Sequence, residues 1–417
     1  MVDAHRSNPG LPPATGAVVP PVYLDHQATT PVDPRVLDAM LPYFSDRFGN
    51  PHSVQHRLGW QAAEAIEEAR AQVGGLIGAG AREIVFTSGA TESNNLAVKG
   101  AARFLREHNG LDHVINAETE HKCVVESCRD LVREGFRVTS LPVRADGLIE
   151  LGALANAIDD KTALVSVMAV NNEIGVIQPL EEIGRMCGER GVLFHTDAAQ
   201  AIGKIPIDVE AMGIDLLSIS GHKTYGPKGI GALYVRRRPR VRLTPLLSGG
   251  GQERGHRSGT LPTPLCVGLG TACAIAAEEM AAETRRLAGL RDSFVEKLAV
   301  AIPDLAWNGA RENRVAGNLN LLLPGADGED LVGALDDVAI STGSACTSAT
   351  VEPSYVLRAI GLDDEQAASS VRVGFGRFTT EAEVDYAARR IGEVAARLRG
   401  ETSGPAAVGH DRPTAAE

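Results

Sequence analysis

A lysine stands at the end of a short polar turn, Ser220-Gly221-His222-Lys223. The turn follows the apolar run 215–218 and leads into another, 229–235. Upstream, the apolar run 191–195 ends in Thr196-Asp197-Ala198-Ala199-Gln200. An amine and a carboxylate, each at the end of a buried strand, are what a pyridoxal phosphate site requires. The amine forms a Schiff base with the aldehyde. The carboxylate keeps the pyridinium nitrogen protonated, so that the ring accepts electrons from a substrate carbanion. Taken singly, Lys223 is a solvated lysine and Asp197 a helix N-cap; together they point to an enzyme.

Ser88-Gly89-Ala90-Thr91 follows an apolar run at 83–87 and opens a helical pattern. A turn of small residues at a helix start offers backbone N–H groups to a phosphate, although a plain capping turn reads the same way. His121, after Glu118-Thr119-Glu120, is placed to stack on a flat ring and carry protons, or simply to cap a loop. Asn172 and Gln200, also at strand ends, suit a ring oxygen or a turn. Arg372, in Val371-Arg372-Val373-Gly374-Phe375, is either a carboxylate clamp or a strand charge. Cys346 lies in Ser341-Thr342-Gly343-Ser344-Ala345-Cys346-Thr347-Ser348-Ala349, a run without packing side chains, and reads as an exposed thiol able to attack as thiolate. Cys123, Cys128, Cys187, Cys266 and Cys273 fall in amphipathic or apolar helical patterns and read as small buried hydrophobes.

Positioning these groups takes an alternation of strands and helices. Strands are expected at 83–87, 113–117, 164–170, 193–195, 216–219 and 232–235, with helices at 92–105, 123–134 and 180–190. That order predicts an α/β fold with a mostly parallel sheet covered on both faces, its ligands at the strands' carboxyl ends. A long helical stretch follows at 263–300, then strands at 316–323 and 368–375 and helices at 329–335 and 381–398. A chain of 417 residues exceeds what one core usually serves, so a smaller α+β domain is expected. The expected division is a leader at 1–20, a large domain at 33–280, a small domain from 21–32 plus 281–400, and a tail at 401–417. The leader (Pro9, Pro12, Pro13, Pro20, Pro21) and the tail read as disordered. Net charge is −12 with no basic stripe, which argues against nucleic acid or an anionic membrane as partner. We count no apolar stretch of bilayer length and no secretory signal. Six cysteines without a CxxC pair or zinc spacing predict no metal site and free thiols in a reducing cytoplasm.

Several runs resemble those of cysteine desulfurases of the iron–sulfur-cluster and nitrogen-fixation type. They are Tyr23-Leu24-Asp25, Ala28-Thr29-Thr30-Pro31, Phe86-Thr87-Ser88-Gly89-Ala90-Thr91-Glu92-Ser93-Asn94, Val170-Asn171-Asn172-Glu173-Ile174-Gly175, Ser220-Gly221-His222-Lys223 and Gly343-Ser344-Ala345-Cys346-Thr347-Ser348. The resemblance spans about 22–398. It implies the type I pyridoxal phosphate transferase fold, a homodimer, and conversion of L-cysteine to L-alanine with sulfur passed to an active-site cysteine.

By this resemblance, Lys223 is the Schiff-base lysine and moves the α-proton. Asp197 pairs with the ring nitrogen, and His121 stacks on the ring and handles the thiol proton. Ala90, Thr91, Ser220 and His222 hold the phosphate, with Thr260 of Arg257-Ser258-Gly259-Thr260 donated from the other subunit. Gln200 contacts the ring oxygen, and Asn172 contacts both the cofactor and the substrate. Arg372 clamps the substrate carboxylate, assisted by Asn50 of Gly49-Asn50-Pro51. Cys346 carries the persulfide, with transient sharing of an iron–sulfur cluster between it and a scaffold as a further implication. Sulfur acceptors would be a cluster scaffold or a tRNA-thiolation carrier. The polar tail departs from the apolar, aromatic tail with which such enzymes meet their scaffold, and His26-Gln27 departs from the usual pair before Ala28. A selenocysteine lyase and a non-catalytic protein of the same fold are the alternative readings.

Overall fold

The computed structural model describes residues 18–342 and 353–400. Seven strands form the central sheet in the order Ile84–Thr87, Gly231–Val235, Leu216–Ser220, Leu193–Asp197, Thr162–Ser166, His113–Ala117, Arg137–Leu141. Neighbours pair in parallel except where Gly231–Val235 runs against both of its partners. Along each inner strand, side chains alternate between two apolar layers. Val114, Leu164 and Leu216 pack on one face with Leu96 and Ala97 of the helix Ala90–Asn109. Ile115, Val165 and Leu217 pack on the other with Ile183 of Leu180–Arg190 and Ile66 of Arg57–Leu76. Burial on both faces is why these strands read as continuous apolar runs.

The expected strand at 164–170 stops at Ser166. Beyond it, Met168 N–H donates to the carboxylate of Glu120 at 2.5 Å, so a side chain replaces the next strand partner. The edge strand Arg137–Leu141 is mostly solvated and has no apolar run to announce it.

A helix of 39 residues, Thr263–Ala301, joins two cores. Its first half sends Cys266, Leu269 and Cys273 under the central sheet. Its second half sends Leu287, Leu290, Phe294 and Leu298 into a separate apolar cluster. There they meet Leu319 and Leu321, Val371 and Val373, and Val384 and Ile391. A three-stranded antiparallel sheet underlies that cluster, in the order Ser370–Gly374, Asn318–Leu322, Ala306–Trp307. The helices Thr263–Ala301 and Arg57–Leu76 pack closely, since a Cβ on Gly270 would lie 2.6 Å from the Ala69 Cα. One sequence expectation needs correction. This long helix does contain a stretch long and apolar enough to span a bilayer by composition, yet here its apolar residues pack in the two cores.

Candidate active site

Asp197 ends its strand and Ser220 ends the next one, so both reach the same sheet edge. The turns after Ile84–Thr87, His113–Ala117 and Thr162–Ser166 bring Gly89, His121 and Asn172 to that edge. Gly231–Val235, running the opposite way, brings its first residue. A Cβ on Gly231 would stand 2.7 Å from the Gly89 Cα and 2.4 Å from the Ile219 carbonyl oxygen, so the turn closes over the strand only because residue 231 is glycine. Here lies a cavity of about 400 Å³. Ala90, Thr91, His121, Asn172, Asp197, Gln200, Ser220, His222 and Lys223 all line it.

One end of the cavity is anionic. Asp197 is 4 % exposed, accepts from Asn94 Nδ2 at 2.6 Å and from the Ala199 N–H at 2.9 Å, and retains lone pairs toward the cavity. The other end is electropositive. The helix Ala90–Asn109 begins after Gly89, at φ 151°, with no side-chain cap on its N–H groups. An uncapped helix start flanked by Lys223, Lys228 and His222 suits a phosphate. Glu92 in the first turn is turned aside by Arg257 at 2.9 Å and the Ser88 N–H at 2.7 Å, which offset its burial and hold its carboxyl below the usual range.

Lys223 ends the one-turn helix Gly221–Lys223 and lines the same cavity. A Cβ on Gly221 would meet the Pro227 carbonyl at 2.9 Å, so the turn needs glycine there. Burial, reinforced by Lys223, pushes His222 down to about 4, so its ring is neutral at pH 7. His222 Nδ1 lies 3.0 Å from Thr29 Oγ1, which ties the turn to the N-terminal segment.

His121 caps the helix Lys122–Arg133, its Nδ1 accepting the Cys123 N–H at 3.3 Å. That fixes Nδ1 as an acceptor and leaves the proton of the neutral ring on Nε2. Burial lowers the His121 pKa, with Asp197 opposing and Lys223 adding to the effect. Cys123 was read as a buried core thiol; instead it lines the cavity, with Sγ 3.0 Å from His121 Nδ1 and 3.1 Å from Asn94 Nδ2. Asn94 is the other residue that the sequence reading passed over. Its only signal is a polar side chain on the buried face of a helix, one turn past the phosphate-type turn.

The remaining candidates lie apart from the lining. Arg372 is buried, ion-paired with Asp25 at 2.7 Å and donating to the Asn172 carbonyl at 3.1 Å, with its Nε left without a partner among the described residues. It therefore abuts the cavity through Asn172. Asn50 is exposed, and its side chain accepts the His52 N–H. Thr260 is exposed in the loop that carries Arg257. Cys346 lies outside the described residues.

Comparison with known proteins identifies the family. Residues 22–387 match the class-V aminotransferase family. A cysteine desulfurase IscS of Rickettsia bellii is 59% identical over 379 residues, covering 91% of this chain and 92% of that protein. Among solved structures, a NifS-like protein superposes with a TM-score of 0.83 at 36% identity, covering 90% of this chain and 99% of the other. SspA in complex with cysteine gives 0.76 at 42% identity, covering 86% and 99%. The chain thus belongs to the class-V aminotransferases and, within them, to the cysteine desulfurases.

Proposed function

We propose that this cavity binds pyridoxal 5'-phosphate and that the protein converts L-cysteine to L-alanine, passing the sulfur to Cys346. The observation that carries the reading is one cavity lined by a buried carboxylate, Asp197, by an uncapped helix start and by Lys223. A flat cofactor with a basic ring nitrogen at one end and a phosphate at the other fits that polarity. When bound, the cofactor supplies the electron sink that makes the substrate's α-proton acidic.

The chain's own groups then divide the work. Ala90, Thr91, Ser220 and His222 take the phosphate, and Asp197 the ring nitrogen, its carboxylate aimed by Asn94. His121 would cover the ring, and its Nε2–H, free of the cap, would donate to the substrate sulfur and so ease loss of the thiol proton. Lys223 would hold the cofactor through its amine and would carry the α-proton. Asn172 contacts the cofactor, and Gln200 offers an amide N–H to the ring oxygen. Arg372 receives the substrate carboxylate through the Nε that has no partner among the described residues, with Asn50 assisting. The Cys346 thiolate attacks the substrate sulfur. As the S–S bond forms, the sulfur–carbon bond breaks, its electron pair stays on carbon, and a proton completes alanine.

A homodimer belongs to the same proposal. Leu41, Phe44, Phe48, Val54 and Trp60 form an exposed apolar stretch, and Thr260, outside its own chain's lining, is available to a second copy. A cytoplasmic location is likewise proposed, supported by five free thiols among the described residues. A cluster scaffold or a tRNA-thiolation carrier would take the sulfur. The test is to incubate the cofactor-loaded protein with L-cysteine and follow alanine and protein-bound persulfide. Cys346→Ser should keep the cofactor colour and form no persulfide. Sulfur release by that variant at the parent rate, without added thiol, would remove Cys346 from the mechanism.

A further inference from the structure

One loop grips the proposed phosphate turn from both sides. Ahead of the turn, the Glu253 carboxylate accepts the Phe86 N–H at 2.8 Å, on the strand that leads into it. Beyond the turn, Arg257 Nε donates to the Glu92 carboxylate at 2.9 Å, in the first turn of the helix Ala90–Asn109. Arg70 pins the loop by donating to both oxygens of Glu253, at 2.7 and 2.8 Å, and both side chains of that ion pair are buried. Glu253 and Arg254 lie in the left-handed region, at φ 49° and 57°. Residues with side chains rarely adopt that conformation, and the buried pair holds it in place.

Glu92 is the group in this arrangement that the mechanism leaves unused. Two carboxylates line the main cavity, Asp197 and Glu92. Asp197 has the ring nitrogen as its proposed partner. Glu92 stands instead at the end proposed for the phosphate, 15 % exposed, where a negative charge repels the ligand. It also has a structural task, since its Oε2 accepts the Ser88 N–H at 2.7 Å and so holds the backbone of the turn. Its Oε1 takes the Arg257 guanidinium, itself 18 % exposed.

We propose that Arg257 sets the preference of this cavity for a phosphorylated cofactor, acting as a positioning residue that cancels the Glu92 charge so that Glu92 can hold the Ser88 N–H without repelling the phosphate. The inference rests on the reading of this cavity as a pyridoxal phosphate site. A phosphate monoester carries nearly two negative charges at neutral pH. A carboxylate left unpaired beside it, in a partly buried site where charges are weakly screened, costs binding energy. Paired with a guanidinium, the same carboxylate presents almost no net charge, and the field of Lys228 and of the helix start then acts on the phosphate unopposed. The brace through Glu253 and Arg70 keeps the loop, and with it Arg257, in reach of Glu92.

The test compares pyridoxal 5'-phosphate with pyridoxal, which lacks the phosphate, by absorbance titration of the full-length chain freed of cofactor. The parent should bind the phosphorylated form more tightly. Equal affinities would sink the reading of the phosphate end, and this inference with it. Arg257→Met should weaken pyridoxal 5'-phosphate by about tenfold or more and leave pyridoxal within about twofold of the parent. Arg257→Lys keeps the charge and should stay near the parent for both. The deciding variant combines Arg257→Met with Glu92→Gln: with the carboxylate gone there is no charge to cancel, and affinity for the phosphorylated form should return to within about threefold of the parent. Glu92→Gln alone keeps an oxygen for the Ser88 N–H and should bind pyridoxal 5'-phosphate at least as tightly as the parent, which reads the same effect if Arg257→Met folds poorly. Equal losses for both ligands in Arg257→Met, no recovery in the double variant, or weaker binding in Glu92→Gln would reduce Arg257 to a structural prop and overturn the proposal.

Discussion

Two regions supply the proposed site, and they hold their residues by different means. At the edge of the seven-stranded sheet, each group sits at a strand end and is fixed by a neighbour on an adjoining turn or helix. Asp197 is held by Asn94 and the Ala199 N–H, and His121 by the Cys123 N–H. On the side of the three-stranded antiparallel sheet, Arg372 is held by Asp25, 347 residues away in sequence, and by the Asn172 carbonyl. The first region is proposed to hold the cofactor and the second the substrate carboxylate. They touch where Arg372 meets Asn172, so substrate position and cofactor position should be separable by mutation.

The harshest way to break that division is at Lys223. Lys223→Ala removes the covalent anchor and the proton carrier together, and alanine formation should fall at least about a thousandfold. The characteristic absorbance of the Schiff base should vanish even with cofactor in excess. Retention of both would show that the sheet edge is not the reacting centre. Arg372→Lys sharpens the contrast from the other side. Lysine keeps the charge but loses the planar fork, so one amine must serve Asp25, the Asn172 carbonyl and the substrate. KM for L-cysteine should rise roughly tenfold or more, with the cofactor spectrum of the resting protein unchanged. A spectrum altered as it is in Lys223→Ala would mean that the two regions act as one.

The same contrast explains what the sequence could and could not disclose. Sites at parallel-strand ends announce themselves locally, because a buried apolar run must end in a polar turn. Asp197, Lys223 and the Ser88–Thr91 turn are visible for that reason. Their supports are not. Asn94 reaches Asp197 across 103 residues, and Lys204 donates to Gln200 from within a loop. Cys123 looks like a core thiol because the helix Lys122–Arg133 is amphipathic, and only its position as the second residue of that helix brings it to the cavity. Arg372 alternates like any strand residue, and nothing local marks Asp25 as its partner. The helix Arg57–Leu76 fell outside the strand–helix alternation, which begins only after it.

The gentlest test concerns the joint between the regions. Glu173 follows Asn172 and is 4 % exposed, and its carboxyl accepts from Ser354 Oγ at 2.5 Å. Ser354 caps the short helix Tyr355–Ala359, so one buried acid links the Asn172 turn to the chain just after the Cys346 segment. Burial raises the Glu173 pKa to about 7, with Ser354 and then Arg372 opposing. A carboxyl raised in the folded state binds its proton more tightly there than in the unfolded chain. Its contribution to stability is therefore fully present below its unfolded pKa, near 4.5, and is lost as pH rises through about 7. The loss amounts to at most about 3 kcal/mol. Glu173→Gln is neutral throughout, so between pH 5 and pH 8 its melting temperature should fall less than the parent's, while its cofactor spectrum should match. Parallel melting curves for the two proteins would show that Glu173 is ionised in the fold. The joint would then be an ion pair with Arg372 rather than a neutral hydrogen bond to Ser354.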